Sequence, residues 1–219
     1  MHKSDWLRHI STVSIVVPFI IAIVRYRYLR NEYLLMICYL TVSFLTEMWG
    51  FVTFFRGSTN NLIVYNVFTL VELTLLGLLY YQFINHRATR RVILVLIIVF
   101  AGIVFWRYLP DPSRYDGAVW GLENAIVILF ILLYFVHLFR KMEVERLSRS
   151  PIFWISSGLL IFFSGSVFVY LFGTFIFQDK QVLGDLWNIN YWLNILFHLL
   201  VSIGFCLQDT THLKTVPNT

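Results

Sequence analysis

Charged residues are scarce in this sequence: Asp, Glu, Lys and Arg make up 13% of its 219 residues, about half of their share in an ordinary soluble domain. A chain this poor in charge cannot clothe itself for water, and a water-soluble globular domain is excluded. Cysteine is nearly absent as well. Cys38 and Cys206 are the only two, both inside apolar runs, and they are expected to be small buried hydrophobes rather than a disulfide framework. Chemical motifs are missing too. There is no phosphate-binding loop, no dinucleotide fingerprint and no His-x-x-x-His pair, so enzyme chemistry finds little support, and neither a cofactor nor a resident metal is implied. The last apolar run, 186–207, contains no lysine, which excludes retinal attached there as a Schiff base.

What the chain has in quantity is apolar and aromatic surface. Hydrophobic residues are 58% of the sequence, aromatic ones 18%, and the mean hydropathy is +0.73. The apolar residues fall in seven runs, 10–24, 33–55, 62–83, 92–106, 118–139, 152–177 and 186–207, most of them near the ~20 residues that span hydrocarbon as a helix. Backbone groups must be paired inside a bilayer, and the alternating pattern of a membrane β-barrel is absent, so these runs are expected to be helices. The fold class is all-α: a polytopic membrane protein forming one seven-transmembrane helix bundle over residues 1–219. The first run is followed by Arg25, Arg27 and Arg30 rather than by a small-residue cleavage site, so it reads as a retained helix and not a signal peptide.

The distribution of cations sets an expected orientation. Arg25, Arg27, Arg30, Arg87, Arg90, Arg91, Arg140, Lys141, Arg146, Arg149 and Lys214 fall on one side of the runs. Only Lys3, Arg8, Arg56, Arg107, Arg114 and Lys180 fall on the other. The positive-inside rule then places the N-terminus outside and the C-terminus in the cytoplasm. This also accounts for the net charge of +5 without nucleic acid as a partner. Trp6, Trp49, Trp106, Trp120 and Trp187 near outer ends and Trp154 near an inner one suit interfacial belts. The connections outside are short, with turns at 56–61 and 178–185, and Pro110 and Pro112 end helix in the longest. Spans two to seven read as three hairpins, but no residue pattern recurs among them as in a transporter built from repeats.

Ionisable groups inside spans are costly, about 2.5–3.5 kcal/mol for an aspartate at the centre of a helix, and mark functional sites by default. Four occur here: Glu47, Glu72, Glu123 and His198. Counted from the outer ends of their helices they lie between about one and three turns deep. Amides gather at the same level: Asn66 ahead of Glu72, Asn124 beside Glu123, and Asn188, Asn190 and Asn194 ahead of His198. On the seventh helix Trp187, Asn194 and His198 fall within about 40° of one another, flanked by Asn190 and Tyr191. No lysine or arginine in these spans answers the carboxyls, so neutral acids that donate hydrogen bonds are expected. The pattern reads either as a polar cavity open to the outside between spans two, three, five and seven, or as interhelical glue worth about 0.6–2 kcal/mol per bond. A metal site would need partners for His198, yet His2, His9, His86, His137 and His212 lie at helix ends or in loops. The serines of span six, Ser156, Ser157, Ser164 and Ser166, accompany Gly158 and Gly165, which share a face suited to close helix packing rather than nucleophilic catalysis.

Seven helices with an outside start and an inside end resemble the seven-helix sensor regions that precede the kinase in some bacterial histidine kinases. Stretches such as Tyr65-Asn66-Val67-Phe68-Thr69-Leu70-Val71-Glu72 and Pro151-Ile152-Phe153-Trp154-Ile155-Ser156-Ser157-Gly158 are also similar in character to uncharacterised bacterial membrane proteins. The resemblance implies a multi-pass protein of a cell membrane, the bacterial inner membrane. It supplies no functional residues. The tail 208–219 is too short for a signalling domain, so a sensor of this kind is expected to signal to a separate cytoplasmic or membrane partner. The leading expectation is a receptor-like or sensory protein binding a small-molecule or lipid-like ligand within the lipid bilayer. Its ligand-binding residues would be Glu47, Glu72, Glu123, Asn124, Asn190, Asn194 and His198, with Trp120, Trp187 and Tyr191 as walls. The alternatives are a small-solute or proton-coupled transporter using Glu72 and His198, and a membrane-embedded metal-dependent lipid enzyme.

Overall fold

The computed structural model describes residues 5–25, 31–55, 61–141, 147–175 and 180–208. These residues form eight α-helices: α1 (Asp5–Ser14), α2 (Val16–Val24), α3 (Leu34–Phe55), α4 (Leu62–Phe83), α5 (Arg87–Tyr108), α6 (Gly117–Lys141), α7 (Pro151–Phe175) and α8 (Lys180–Cys206), with single 3-10 turns at Asn31–Tyr33 and Leu147–Arg149. Among the described residues there is no strand. Seven helical stretches are long and apolar enough to cross a membrane, α1 and α2 together forming the first. The sequence expectations at Arg27, Arg30, Arg56, Gly57, Arg146 and Lys214, and at Lys3, His2 and His212, lie outside the described residues.

The third span, 62–83, coincides with its expected limits. Others are longer than hydropathy suggested. The fourth runs from Arg87 rather than 92, because His86 caps it by accepting from the Thr89 amide and its first turn carries arginines that an apolar window leaves out. The last begins at Lys180, so residues 180–185, expected to be loop, form its first turns. The first span begins at Asp5 and its hydrogen-bond ladder is interrupted at Ile15. The cause is Pro18, which has no N–H to offer the Ser14 carbonyl one turn earlier. Ile15 itself keeps helical angles (φ −62°, ψ −24°), so the interruption is a lost bond and not a turn.

Six spans form a closed ring in which α8 packs on α7, α7 on α6, α6 on α4, α4 on α3, and both α1 and α2 return to α8. The seventh, α5, sits outside the ring against α4 and α6. Its buried residues, Ile93, Phe100, Val104 and Tyr108, recur at helical spacing, while Val95, Ile98, Val99 and Trp106 point away from the protein. The closest helix contact, α7 on α8, depends on glycine. A methyl group at Gly158 would lie 3.0 Å from Leu200 Cβ and 3.4 Å from the Phe197 carbonyl, and one at Gly165 would overlap Leu193. Small residues let backbones approach in this way where no hydrophobic effect drives helices together.

We call the end at which α1, α4, α6 and α8 begin the upper end. The lower half of the ring is filled by Met36, Leu40, Leu73, Leu76, Leu79, Tyr80, Phe130, Ile131, Ile155, Leu159, Val201 and Phe205, all with negligible exposure. One polar contact crosses this layer, the Tyr80 hydroxyl donating to Ser156 Oγ at 3.1 Å. At the lower end Arg25 donates to the Cys206 and Gln208 carbonyls, which closes the C-terminus of α8 with a cation where the helix dipole favours one. Both cysteines are exposed rather than buried. Cys38 falls between the inward Met36 and the inward pair Tyr39 and Leu40, and Cys206 sits just off the Val201–Phe205 stripe, so helical periodicity turns each sulfur outward.

Candidate ligand cavity

The upper half of the ring is not filled. It encloses a cavity of about 510 Å³, within the range of small-molecule sites. Its lining reaches Leu62, the first residue of α4, and Tyr115 in the connection before α6, so it extends to the upper end of the bundle. All six helices or helix pairs of the ring contribute to it and α5 contributes nothing.

Every residue expected from sequence to contact a ligand lies on this one wall. Glu47 comes from α3, Glu72 from α4, Trp120, Glu123 and Asn124 from α6, and Trp187, Asn190, Tyr191, Asn194 and His198 from α8. Their bonding differs. Glu72 accepts from the Tyr39 hydroxyl at 2.9 Å, and its carboxyl lies within hydrogen-bonding reach of that of Glu123. Two carboxyls this close in low dielectric resist ionising together. Glu123 is buried to 3% exposure, yet among the described residues its Oε1 has no hydrogen-bond partner, and neither has Asn124 Nδ2 beside it.

The polar stripe of α8 is used mainly between helices. Asn190 Oδ1 accepts from Ser166 Oγ at 2.8 Å and Asn194 Nδ2 donates to Ser11 Oγ at 3.0 Å. His198 Nδ1 lies 2.7 Å from Ser14 Oγ. Because Ser14 Oγ donates its one proton to the Ser11 carbonyl at 2.6 Å, the contact is satisfied with His198 Nδ1 as donor, which leaves Nε2 of the neutral ring as an acceptor. The glue reading and the cavity reading therefore both describe these residues: the bonds to α1 and α7 orient side chains that also form the wall. Asn66 and Asn188 lie off it. Asn66 donates to the Pro112 and Arg114 carbonyls at 2.9 and 3.0 Å and accepts from Trp120 Nε1 at 3.1 Å, pinning the α5–α6 connection. Asp116 completes that anchor by capping α6 through the Ala118 and Val119 amides and pairing with Arg107. Tyr115 is thereby held against the cavity.

The aromatic wall is larger than the sequence suggested. Tyr115 meets Trp120 edge-on with ring centroids 4.9 Å apart, Trp120 meets Tyr170 at 5.3 Å, and Tyr170 meets Trp187 at 6.3 Å. These edge-to-face contacts run across α6, α7 and α8. Tyr39, Tyr65, Phe68, Phe162 and Phe163 add to the lining.

One whole side was missed from sequence. Arg8, Ser11, Thr12 and Ile15 line the cavity from the first span, where Arg8 had read only as a topology marker. Their spacing of i, i+3, i+4 and i+7 is a helical stripe that places a polar face on α1. Arg8 is near enough to Glu47 to attract its carboxyl, and the Thr12 hydroxyl is 3.5 Å from Glu47 Oε2. Among the described residues no group of three or more His, Cys, Asp or Glu side chains is placed to hold a metal ion. Comparison with protein-family models, curated proteins and solved structures finds no match for this chain.

Proposed function

We propose that this chain is a receptor-like integral membrane protein that admits a small or amphiphilic molecule from one side of the bilayer into the cavity of its helix ring. The observation that carries the reading is the pairing of an open polar and aromatic upper half with a close-packed apolar lower half in a bundle long and apolar enough to span a membrane. A ligand entering at the upper end meets Glu72, Glu123 and Asn124 at the level where the packed layer begins, and the layer offers it no onward path. Arg87, Arg90 and Arg91 at the start of α5, together with Arg25 and Arg149, mark the lower end as cytoplasmic by the positive-inside rule. The cavity then faces outward. Occupancy would bias how α1, α7 and α8 pack, and the resemblance to sensor regions suggests a separate partner on the cytoplasmic side as the recipient of that change.

Accessibility tests the reading directly. In a background with Cys38→Ala and Cys206→Ala, a Ser43→Cys thiol on the cavity wall should react with a water-soluble methanethiosulfonate added to the outside of sealed vesicles, while a Leu79→Cys thiol in the packed layer should not. Absence of labelling at Ser43→Cys would remove the outward cavity. Labelling of Leu79→Cys, or uptake of a solute into proteoliposomes that is lost in Glu72→Gln, would replace the receptor with a transporter.

A further inference from the structure

The chemistry of the cavity wall narrows the occupant, given the cavity just proposed. We propose that it is a monovalent organic cation with apolar substituents, an amine or quaternary ammonium, held between the Glu72–Glu123 pair and the Tyr115–Trp120–Tyr170–Trp187 wall.

Three observations combine. The carboxyl pair is buried, with Glu72 at 8% and Glu123 at 3% exposure, and among the described residues the one lysine or arginine on the cavity wall is Arg8, which faces Glu47. A buried acid pair without a cation is a site that lacks its counter-charge. Glu123 Oε1 meets no donor among the described residues, whereas Glu72 is already oriented by Tyr39. One member of the pair is thus fixed and the other retains an open acceptor. The third observation is the run of rings on the same wall. Aromatic faces attract cations within about 6 Å of the ring centroid, and aromatic cages are how quaternary ammonium groups are recognised.

The charge state of the pair sets the valence. Two carboxyls in contact in low dielectric resist ionising together, so the charged form open to a ligand is the singly ionised pair, which one ammonium balances. An anionic ligand would bring a second negative charge into low dielectric beside the pair, which is costly. A neutral amphiphile of the same shape would fill the aromatic wall but leave the pair uncompensated. A metal cation is disfavoured because no three ligating carboxylate, imidazole or thiolate groups converge among the described residues. The apolar fraction of the wall, with Phe68, Phe162 and Phe163, favours substituents larger than methyl.

The test uses two probes of one shape. The full chain in lipid nanodiscs is titrated with butyrylcholine and with its uncharged carbon isostere, 3,3-dimethylbutyl butyrate, while the tryptophan fluorescence is followed and empty nanodiscs serve as the control. The expected result is saturable quenching with at least tenfold tighter binding of the cation. Glu123→Gln should reduce that preference at least fivefold and leave the affinity for the isostere unchanged. Equal affinity for the two probes, or a preference that survives the double variant Glu72→Gln, Glu123→Gln, would overturn the cation assignment and leave the cavity intact. No saturable signal from either probe would also overturn it, and labelling at Ser43→Cys then separates a cavity for another class of ligand from no accessible cavity at all.

Discussion

The contact between α1 and α8 offers the sharpest energetic test, because it rests on few groups. Ser14 and His198 meet at 2.7 Å and Ser11 and Asn194 at 3.0 Å, against 3.5 Å for Thr12 and Glu47 on the α3 side. Interhelical hydrogen bonds in membranes average about 0.6 kcal/mol with a maximum near 1.7. The Ser14–His198 bond should lie toward the upper end of that range, since His198 is 3% exposed and a donor left unmade in such a place costs about 1–3 kcal/mol. The perturbation is a double-mutant cycle of Ser14→Ala and His198→Ala. Each single variant should lower stability by about 1–2 kcal/mol, with a coupling energy near 1 kcal/mol, because once the imidazole is gone the serine hydroxyl keeps its bond to the Ser11 carbonyl and loses little more. The assay is reversible unfolding of the purified protein in mixed micelles of increasing SDS fraction, followed by circular dichroism. A coupling energy within 0.3 kcal/mol of zero, which is about the additivity expected of independent sites, would refute the bond. It would also remove α1 as a fixed wall of the cavity.

Two further predictions concern architecture. Gly158→Leu should prevent the close approach of α7 and α8 and abolish recovery of folded protein, whereas Gly165→Ala should cost little more than about 1–3 kcal/mol because Leu193 can turn aside; size-exclusion profiles and thermal melts of the two variants check the ranking. Asp111→Cys, exposed in the α5–α6 connection at the upper end, should react with a membrane-impermeant maleimide on intact cells in the cysteine-free background, and protection there would reverse the orientation.

The spans were legible because apolar length is the strongest signal a membrane imposes, and the limits of α4 were readable to the residue because Asn61 and Ile84 flank it without charge. The limits of α5 and α8 were not, since Arg87–Arg91 and Lys180–Asp185 are helical yet charged and hydropathy discards them. Seven of the ten candidate site residues were found by one physical argument, the cost of polar groups in hydrocarbon, and Trp120, Trp187 and Tyr191 as aromatic neighbours at the same level; all ten line the cavity. That argument is silent for Ser11, Thr12 and Ser14. Hydroxyls bond to their own helix at little cost, so they raise no alarm in an apolar run even where they face a cavity. Asn66, an amide at the same depth that the candidate set left out, is occupied by the Pro112 and Arg114 carbonyls and Trp120. The cysteines were misjudged from residue type alone, although the inward set Met36, Tyr39 and Leu40 already places Cys38 on the other face.

The interruption at Ile15 has a mechanical consequence for a protein embedded in lipid. A continuous helix answers a thicker or thinner bilayer by tilting as a whole, and a cavity wall carried on such a helix would tilt with it. Here the lipid-facing Val17, Ile20, Ile23 and Val24 belong to α2, while α1 is bonded to α8 through Ser11 and Ser14 and reaches Glu47 of α3 through Thr12. Pro18 omits a bond between the two segments, so the span can bend there, α1 keeping its register against Asn194 and His198 while α2 stays on the lower part of α8, where Arg25 fastens it. A change in bilayer thickness taken up by that bend would reach the lower half of the bundle before it reached the α1 side of the cavity.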